Sequence, residues 1–252
     1  MQMTGNTILI TGGGSGIGKA LAEAFHALGN QVIVAGRRKD PLEAACAANP
    51  GMKWKVLDLD RAAAIEAFAK ELVGEFPKLD AVIHNAGIMR PEDVKKQGVS
   101  DAEAMITTNL LGPIRLTNAL LPTLLAQPRA AIMTVSSGLA FTPLAMTPTY
   151  CATKAAIHSY SQTLRWQLRE TKVQVLELAP PYVQTELMGE RQKTDPRAMP
   201  LAEFIGETMS LLKSSPDANE ILVERVKPLR FAEKSGSYEQ FFTGFNNAMA
   251  GH

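Results

Sequence analysis

Cysteine is nearly absent from this chain of 252 residues: only Cys46 and Cys151 occur. Two thiols are too few for a disulfide framework or a thiolate zinc site. Histidine is scarce as well, and His26, His84, His158 and His252 share no ligand spacing among themselves, so no metal site is expected. Neither sign of charge dominates, because 26 Lys plus Arg against 25 Asp plus Glu leave a formal net charge of +1. A binder of nucleic acid or of anionic membrane would carry a basic excess or stripe, and neither partner is expected. No apolar run approaches the ~20 residues that span a bilayer. The N-terminus enters Thr7-Ile-Leu-Ile-Thr11 without a basic leader or a cleavage site. Internal repeats, low-complexity tracts and dividing linkers are also missing. One domain over 1–252, in a reducing cytoplasmic compartment, is the expectation.

What is present is alternation. Short apolar runs over 7–11, 31–35, 53–57, 80–84, 131–136 and 173–179 read as strands, with 220–223 as a possible seventh. Helical periodicity fills 19–28, 41–48, 62–75, 101–125, 149–170, 201–213 and 238–248. A bend is expected in the fourth of these near Gly112-Pro113. The pattern predicts a Rossmann-type doubly wound α/β fold with about seven parallel strands and helices on both faces. Polar, proline-punctuated residues from Met188 to Arg197 read as a loop, and 186–215 as a substrate lid.

The glycines are concentrated. Thr11-Gly-Gly-Gly-Ser-Gly-Ile-Gly18 joins a buried-type strand to an amphipathic helix. Glycine lets main chain approach a ligand closely, and the following helix aims unpaired N–H groups at the turn. Gly12, Gly14, Ser15, Gly16, Ile17 and Gly18 are therefore candidates for holding a pyrophosphate; a tight turn without a ligand is the competing reading. The fingerprint G-x-G-x-x-G does not fit, because Ile17 falls at its last glycine. Gly12, Gly16 and Gly18 give G-x-x-x-G-x-G instead. In that spacing the segment resembles the cofactor loop of the short-chain dehydrogenase/reductase family, in its short single-domain branch. The resemblance implies a nicotinamide dinucleotide.

Strand two ends Val34-Ala35-Gly36-Arg37-Arg38, without the acid that accepts from the ribose 2′-hydroxyl of NAD. Arg37 and Arg38 supply planar, permanently charged donors that suit a 2′-phosphate. NADP(H) is favoured and NAD(H) stays open. Taken alone, the pair would read as two solvated arginines.

Tyr150 and Lys154 stand four residues apart on a predicted helix and share one face. Ser137 ends strand five and Asn85-Ala86-Gly87 closes strand four, so successive strands deliver polar or glycine residues to the carboxyl rim, where open α/β sheets bind ligands. A lysine stem lying over a ring is the plain alternative. Tyr150-Cys-Ala-Thr-Lys154 resembles the family's Y-x-x-x-K, and Ser137 lies 13 residues before the tyrosine, as that family's serine does. The resemblance implies a catalytic set of Ser137, Tyr150, Lys154 and, within Thr108-Asn109-Leu110, Asn109. Tyr150 would be general acid in reduction and base in oxidation. Bringing a phenol from its ordinary pKa near 10 to neutrality takes about 4 kcal/mol. One adjacent cation is marginal for that, which leaves the positive ring of oxidised nicotinamide to add the rest. Lys154 would also bond the nicotinamide ribose, Ser137 would polarise the carbonyl oxygen, and Asn109 would hold a water leading from Lys154 to solvent.

By the same resemblance Asp58 would accept from the adenine amino group, although locally it reads equally as a helix cap. After strand six come Pro180, Val183 and Thr185, with Thr185 matching the residue that bonds the nicotinamide carboxamide. Two positions depart from the family. His84 stands where it has asparagine, and is expected to stay in the strand as a core residue; Pro181 replaces a glycine and stiffens its loop. Ser136 is a rival to Ser137, but strand alternation would turn it away. Glu220-Ile-Leu-Val and Arg230-Phe-Ala-Glu-Lys resemble a bacterial DltE-like subgroup.

Leu139, Phe141, Leu144, Met146, Tyr182, Leu187 and Met188 are candidate pocket residues, and their character suggests a carbonyl on an apolar body. The expected function is hydride transfer between NADP(H) and a carbonyl or secondary-alcohol substrate. A catalytically silent dinucleotide-binding redox sensor is the alternative, and would have no need of Tyr150 and Lys154. A methyltransferase using S-adenosylmethionine would likewise have no use for Ser137, Tyr150 and Lys154 together. The resemblance further implies a homodimer or homotetramer through the Tyr150 helix, where Ala152, Ala155 and Ala156 permit close approach, and the long helix before it.

Overall fold

The computed structural model of the protein describes residues 1–96 and 98–250, with the backbone alone at 250; His252 lies outside the described residues. The apolar runs form β1 (Thr7–Thr11), β2 (Gln31–Gly36), β3 (Lys53–Val56), β4 (Ala81–His84), β5 (Ala130–Val135), β6 (Val173–Leu178) and β7 (Glu220–Ile221). They lie side by side in the order β3-β2-β1-β4-β5-β6-β7, every neighbouring pair parallel. Parallel neighbours need crossovers rather than hairpins. Helices supply them: α1 (Gly16–Ala27), α2 (Lys39–Ala48), α3 (Ala62–Glu75), α4 (Ser100–Ile106), α5 (Gly112–Ala126), α6 (Pro148–Leu168), α7 (Glu190–Lys193) and α8 (Leu201–Ser214), while α9 (Lys227–Arg230) and α10 (Tyr238–Ala250) follow the last strand. This is the doubly wound Rossmann-type α/β fold that the alternation predicts.

Successive strand side chains point to opposite faces, which divides the core in two. Ile8, Ile10, Val32 and Val34 pack with Phe25 of α1 and Phe204 of α8. Leu9 and Ile33 pack on the other face with Leu72 of α3 and Leu116 and Leu120 of α5. Chain order reverses at β1, which has β2 on one side and β4 on the other. Such a switch point leaves a crevice beyond the carboxyl ends of the strands. The Thr11 hydroxyl stitches the two sides of that crevice, accepting the N–H groups of Asn85 and Ala86 at 3.1 Å each. Among the described residues, no helix is long and apolar enough to cross a membrane.

The structure revises several element boundaries. The pattern over 101–125 is α4 and α5 joined by a π-helical turn, Thr107–Leu111, so the departure from α-helix comes one turn before Gly112-Pro113. Pro113 supplies the reason: it has no N–H to give the Asn109 carbonyl four residues back, and the Gly112 N–H reaches back five residues to Thr107. Within the expected loop 188–197 lies the short helix α7, and Met199 beyond it returns to bridge Val183. α1 starts at Gly16 rather than residue 19, because glycines carry no side chain to display the helical period. At the sheet edge, β7 pairs with β6 over two residues only.

Candidate active site

A cleft of about 650 Å³ follows the switch point. Gly12, Gly14, Ser15, Gly16 and Ile17 line it, with Arg37, Arg38, Asn85, Ala86 and Gly87, then Ser137, Tyr150, Lys154, Pro180, Val183 and Thr185. Gly12 has φ +69°, in the left-handed region that favours glycine, and a Cβ there would stand 2.9 Å from the Ala86 Cα. Gly18 does not line the cleft but makes it possible: a Cβ would meet the Gly12 carbonyl oxygen at 2.4 Å and the Asn85 Nδ2 at 2.3 Å. That amide donates to the Thr11 carbonyl at 3.0 Å, so Asn85 secures the loop rather than reaching outward. The amino end of α1 stands directly behind, with its orphan N–H groups and positive dipole end.

Asp58 lies just after β3. Its carboxylate accepts the Asp60 N–H at 3.1 Å, closing a local turn, and it does not line the cleft. Asp60 lines it instead and accepts from Arg37 at 3.2 Å. Arg37 is thereby partly neutralised. Arg38, exposed on the same wall, has no ion pair among the described residues.

The reacting groups meet where α6 passes the end of β5. Pro148 starts α6 with a φ already suited to helix. The Glu92 carboxylate takes both the N–H and the hydroxyl of Thr149, at 2.9 and 2.8 Å, a favourable charge at a helix amino end. Tyr150 and Lys154 then emerge one turn apart and buried, with the ammonium 5.6 Å from the ring centroid. Lys154 Nζ donates to the Val135 carbonyl at 2.8 Å. Burial pushes the Tyr150 phenol well above its ordinary value, and the Ser137 side chain beside it partly offsets that. Burial also pushes the Lys154 ammonium down to about 8, against the opposing charge of Glu177. Ser137 Oγ accepts the Leu139 N–H at 3.1 Å, while Ser136 Oγ donates to the Leu178 carbonyl at 3.5 Å.

Asn109 is buried beside this group, and its side chain is fully engaged. Oδ1 accepts the Ile88 N–H at 2.8 Å; Nδ2 donates to the Ile88 carbonyl at 2.8 Å and to Thr153 Oγ1 at 3.3 Å. The amide clamps the segment after β4 onto α6 and does not itself line the cleft. Gly87 threads between, where a Cβ would stand 3.3 Å from Asn109 Oδ1 and 3.7 Å from Lys154 Nζ. His84 sits in the core below, 2.8 Å from the Thr117 hydroxyl, and burial pushes it down to about 4, so it is neutral at pH 7.

From Ser137 and Tyr150 a second chamber of about 410 Å³ leads away. Leu139, Leu144, Met146, Tyr182, Leu187 and Met188 line it as the sequence suggests. Phe141 does not; its ring stands edge-on to His158 at 4.7 Å, under the Arg230 guanidinium at 4.4 Å. Met89, Leu229, Phe245 and Met249 complete the apolar wall, and nothing local in the sequence marks them. Phe245 and Met249 lie one turn apart on α10, which Asn246 fastens by accepting the Ala145 N–H at 2.7 Å and donating to the Pro143 carbonyl at 3.1 Å. The polar end satisfies itself, with Tyr182 donating to Asp195 at 3.2 Å and Arg197 clasping the same carboxylate. Buried Gln192, also unmarked in the sequence, donates to the Val183 carbonyl at 2.8 Å and to Thr185 Oγ1 at 3.1 Å, and accepts the Met188 N–H at 3.0 Å. It holds the segment after β6 over the cleft.

Comparison with known proteins agrees with this architecture. Residues 6–196 match the family model described as short chain dehydrogenase. The chain is 41% identical over 252 residues to the uncharacterized oxidoreductase DltE of Bacillus subtilis (strain 168), covering 98% of each. The closed form of a serine dehydrogenase complexed with NADP+ is similar with TM-score 0.77 at 28% identity, over 85% of this chain and 92% of that one. A short-chain dehydrogenase/reductase from Burkholderia phymatum in complex with NAD gives TM-score 0.81 over 95% of this chain and 96% of that one, and at 21% identity it bears on the fold alone.

Proposed function

This chain belongs to the short-chain dehydrogenase family, and we propose that it is an NADP(H)-dependent oxidoreductase acting on a carbonyl or secondary-alcohol substrate, with Tyr150 as general acid in reduction and base in oxidation. The observation that carries this is the meeting of a glycine-walled cleft and an apolar chamber at Ser137 and Tyr150. The bare main chain around Gly12, which a Cβ would fill, fits a dinucleotide. Bound there, a nicotinamide dinucleotide would supply or accept the hydride. Arg38, free of an ion pair among the described residues, favours a 2′-phosphate, and Gly36 puts no carboxylate in its way.

Burial keeps the Tyr150 phenol protonated, the state from which it can protonate a developing alkoxide. Ser137 Oγ is a donor placed beside it for the substrate oxygen. The Lys154 ammonium lowers the cost of the phenolate left behind, and Val135 fixes its position. The Asn109 carbonyl, without an α-helical donor because of Pro113, is the acceptor available for a water leading to Lys154. The apolar wall of the chamber suits an uncharged, hydrophobic substrate body. Of the lid expected over 186–215, the part up to Gln192 suits that role, since Glu186, Leu187, Gly189, Glu190 and Gln192 border the cleft, whereas α8 is core, with Phe204 and Leu212 buried against the sheet. Exposed Leu125 and Trp166 on α5 and α6 suit a subunit contact.

The test is NADPH oxidation against a carbonyl panel, with Tyr150→Phe as control. Removing the proton donor should lower turnover about 10³-fold while cofactor binding persists. Undiminished turnover in the variant would assign the proton to another group.

A further inference from the structure

A buried carboxylate with one oxygen unpartnered among the described residues lies behind the catalytic face. Glu177 belongs to β6, inside the sheet, and is 0% exposed. Its Oε2 is 2.8 Å from His158 Nδ1, whereas Oε1 has no hydrogen-bond partner among the described residues. A carboxylate only accepts, so Nδ1 carries the hydrogen. Burying an anion on such terms is expensive, and an apolar side chain would pack there more cheaply.

Two guanidinium groups stand nearby, and neither is hydrogen-bonded to Glu177. Arg165 of α6 gives its guanidinium to the carbonyls of Val175 and Asn219 at 2.8 and 3.0 Å. Arg230 of α9 occupies both oxygens of Glu220 on β7, at 2.9 and 3.1 Å. His158, Glu177 and Glu220 have ligand atoms within 4.8 Å of one another, but the cation seated there is that guanidinium. Besides Arg165, whose charge the carbonyls do not neutralise and which also feels Glu177, the cation on this face is Lys154. It stands one turn before His158 on α6. Its anchor, Val135, follows Thr134, the residue that pairs in register with Glu177.

We propose that Glu177 is a positioning residue for Lys154: held by His158, its buried carboxylate is the counter-charge that keeps the lysine cationic on the Val135 carbonyl. This rests on the reading of Lys154 given above. The burial that drives Lys154 down is opposed by Glu177, in line with the geometry.

Direct titration of the Lys154 side chain decides it. In full-length protein labelled with ¹³C at lysine Cε, the Lys154 signal is assigned by its disappearance in Lys154→Arg and followed against pH. In Glu177→Gln the midpoint should fall by about one pH unit, the lower end of what a nearby opposite charge does. Glu177→Met, apolar and of similar length, should fold and lower it equally. The alkaline limb of kcat/KM for reduction should move by the same step. A midpoint unchanged in either variant overturns the proposal, and so does failure of both to fold, which would make the carboxylate a requirement of the fold. If the wild-type protein turns over nothing, the proposed function fails while the titration still decides the role of Glu177.

Discussion

At the cofactor end of the cleft the wall is main chain: glycines between β1 and α1, and the Asn85-Ala86-Gly87 turn stitched to Thr11. At the substrate end the wall is side chains, gathered from segments as distant as Met89 and Met249. The first surface is written in two short stretches of sequence, and at Gly12 only glycine permits so close an approach. The second exists only once α10 has docked. Binding at one end should therefore respond to a single added methyl group, whereas the other end should tolerate truncation and change its preference instead.

The strongest challenge to that contrast is Gly18→Ala. Its Cβ would press on both the Gly12 carbonyl and Asn85, and overpacking of about 3 kcal/mol corresponds to a roughly hundredfold loss of NADPH affinity. Fluorescence titration reads this, and undiminished affinity would show that the loop is not the holder. Beneath the same rim, His84 should govern stability without touching affinity. Its folded pKa of about 4 lies below the ordinary 6.5, so the unfolded chain binds more protons between those values. The stabilisation is complete above pH 6.5 and is lost as pH falls towards 4, in all about 3 kcal/mol. Urea midpoints at pH 7 and 5 should separate in the wild type and converge in His84→Asn.

A smaller change is expected at the far wall of the cofactor cleft. Gly36→Asp with Arg37→Ala should swing the kcat/KM ratio towards NADH about thirtyfold, the worth of a charge-assisted hydrogen bond. Because Asp60 already engages Arg37, most of the effect should come from the new carboxylate, and the single variants separate the two. Smallest is Phe245→Ala, which opens the chamber wall. Relative kcat/KM for a bulky over a small carbonyl should rise about tenfold, with NADPH affinity unmoved. A fall in both would mean that α10 supports the cofactor end as well.

What the sequence makes legible follows the same division. The sheet, the glycine loop and the Tyr150–Lys154 face depend on spacing within one element, and they are where periodicity and motif place them. Which of Asp58 and Asp60 borders the cleft is less legible, because two carboxylates two residues apart look alike until the turn between them forms. Asn109 is near the site, but which of its groups is free depends on Pro113 and on Ile88, a contact across 21 residues. Phe141 could not be told from a pocket residue without Arg230, nor could Phe245 and Met249 be recognised before α10 is seated. Gln192 and Glu177 are polar residues whose partners lie on other elements, and no local pattern announces them.

The π-helical turn at Thr107–Leu111 has a consequence of phase. It accommodates one residue more than an α-helix would, so everything downstream is rotated by about 100° relative to an uninterrupted helix. Deleting a single residue there would remove that rotation while leaving Pro113 unable to donate. The Asn109 amide would swing off Ile88 and the clamp beside Lys154 would open. At this junction an extra residue is what keeps two surfaces aligned.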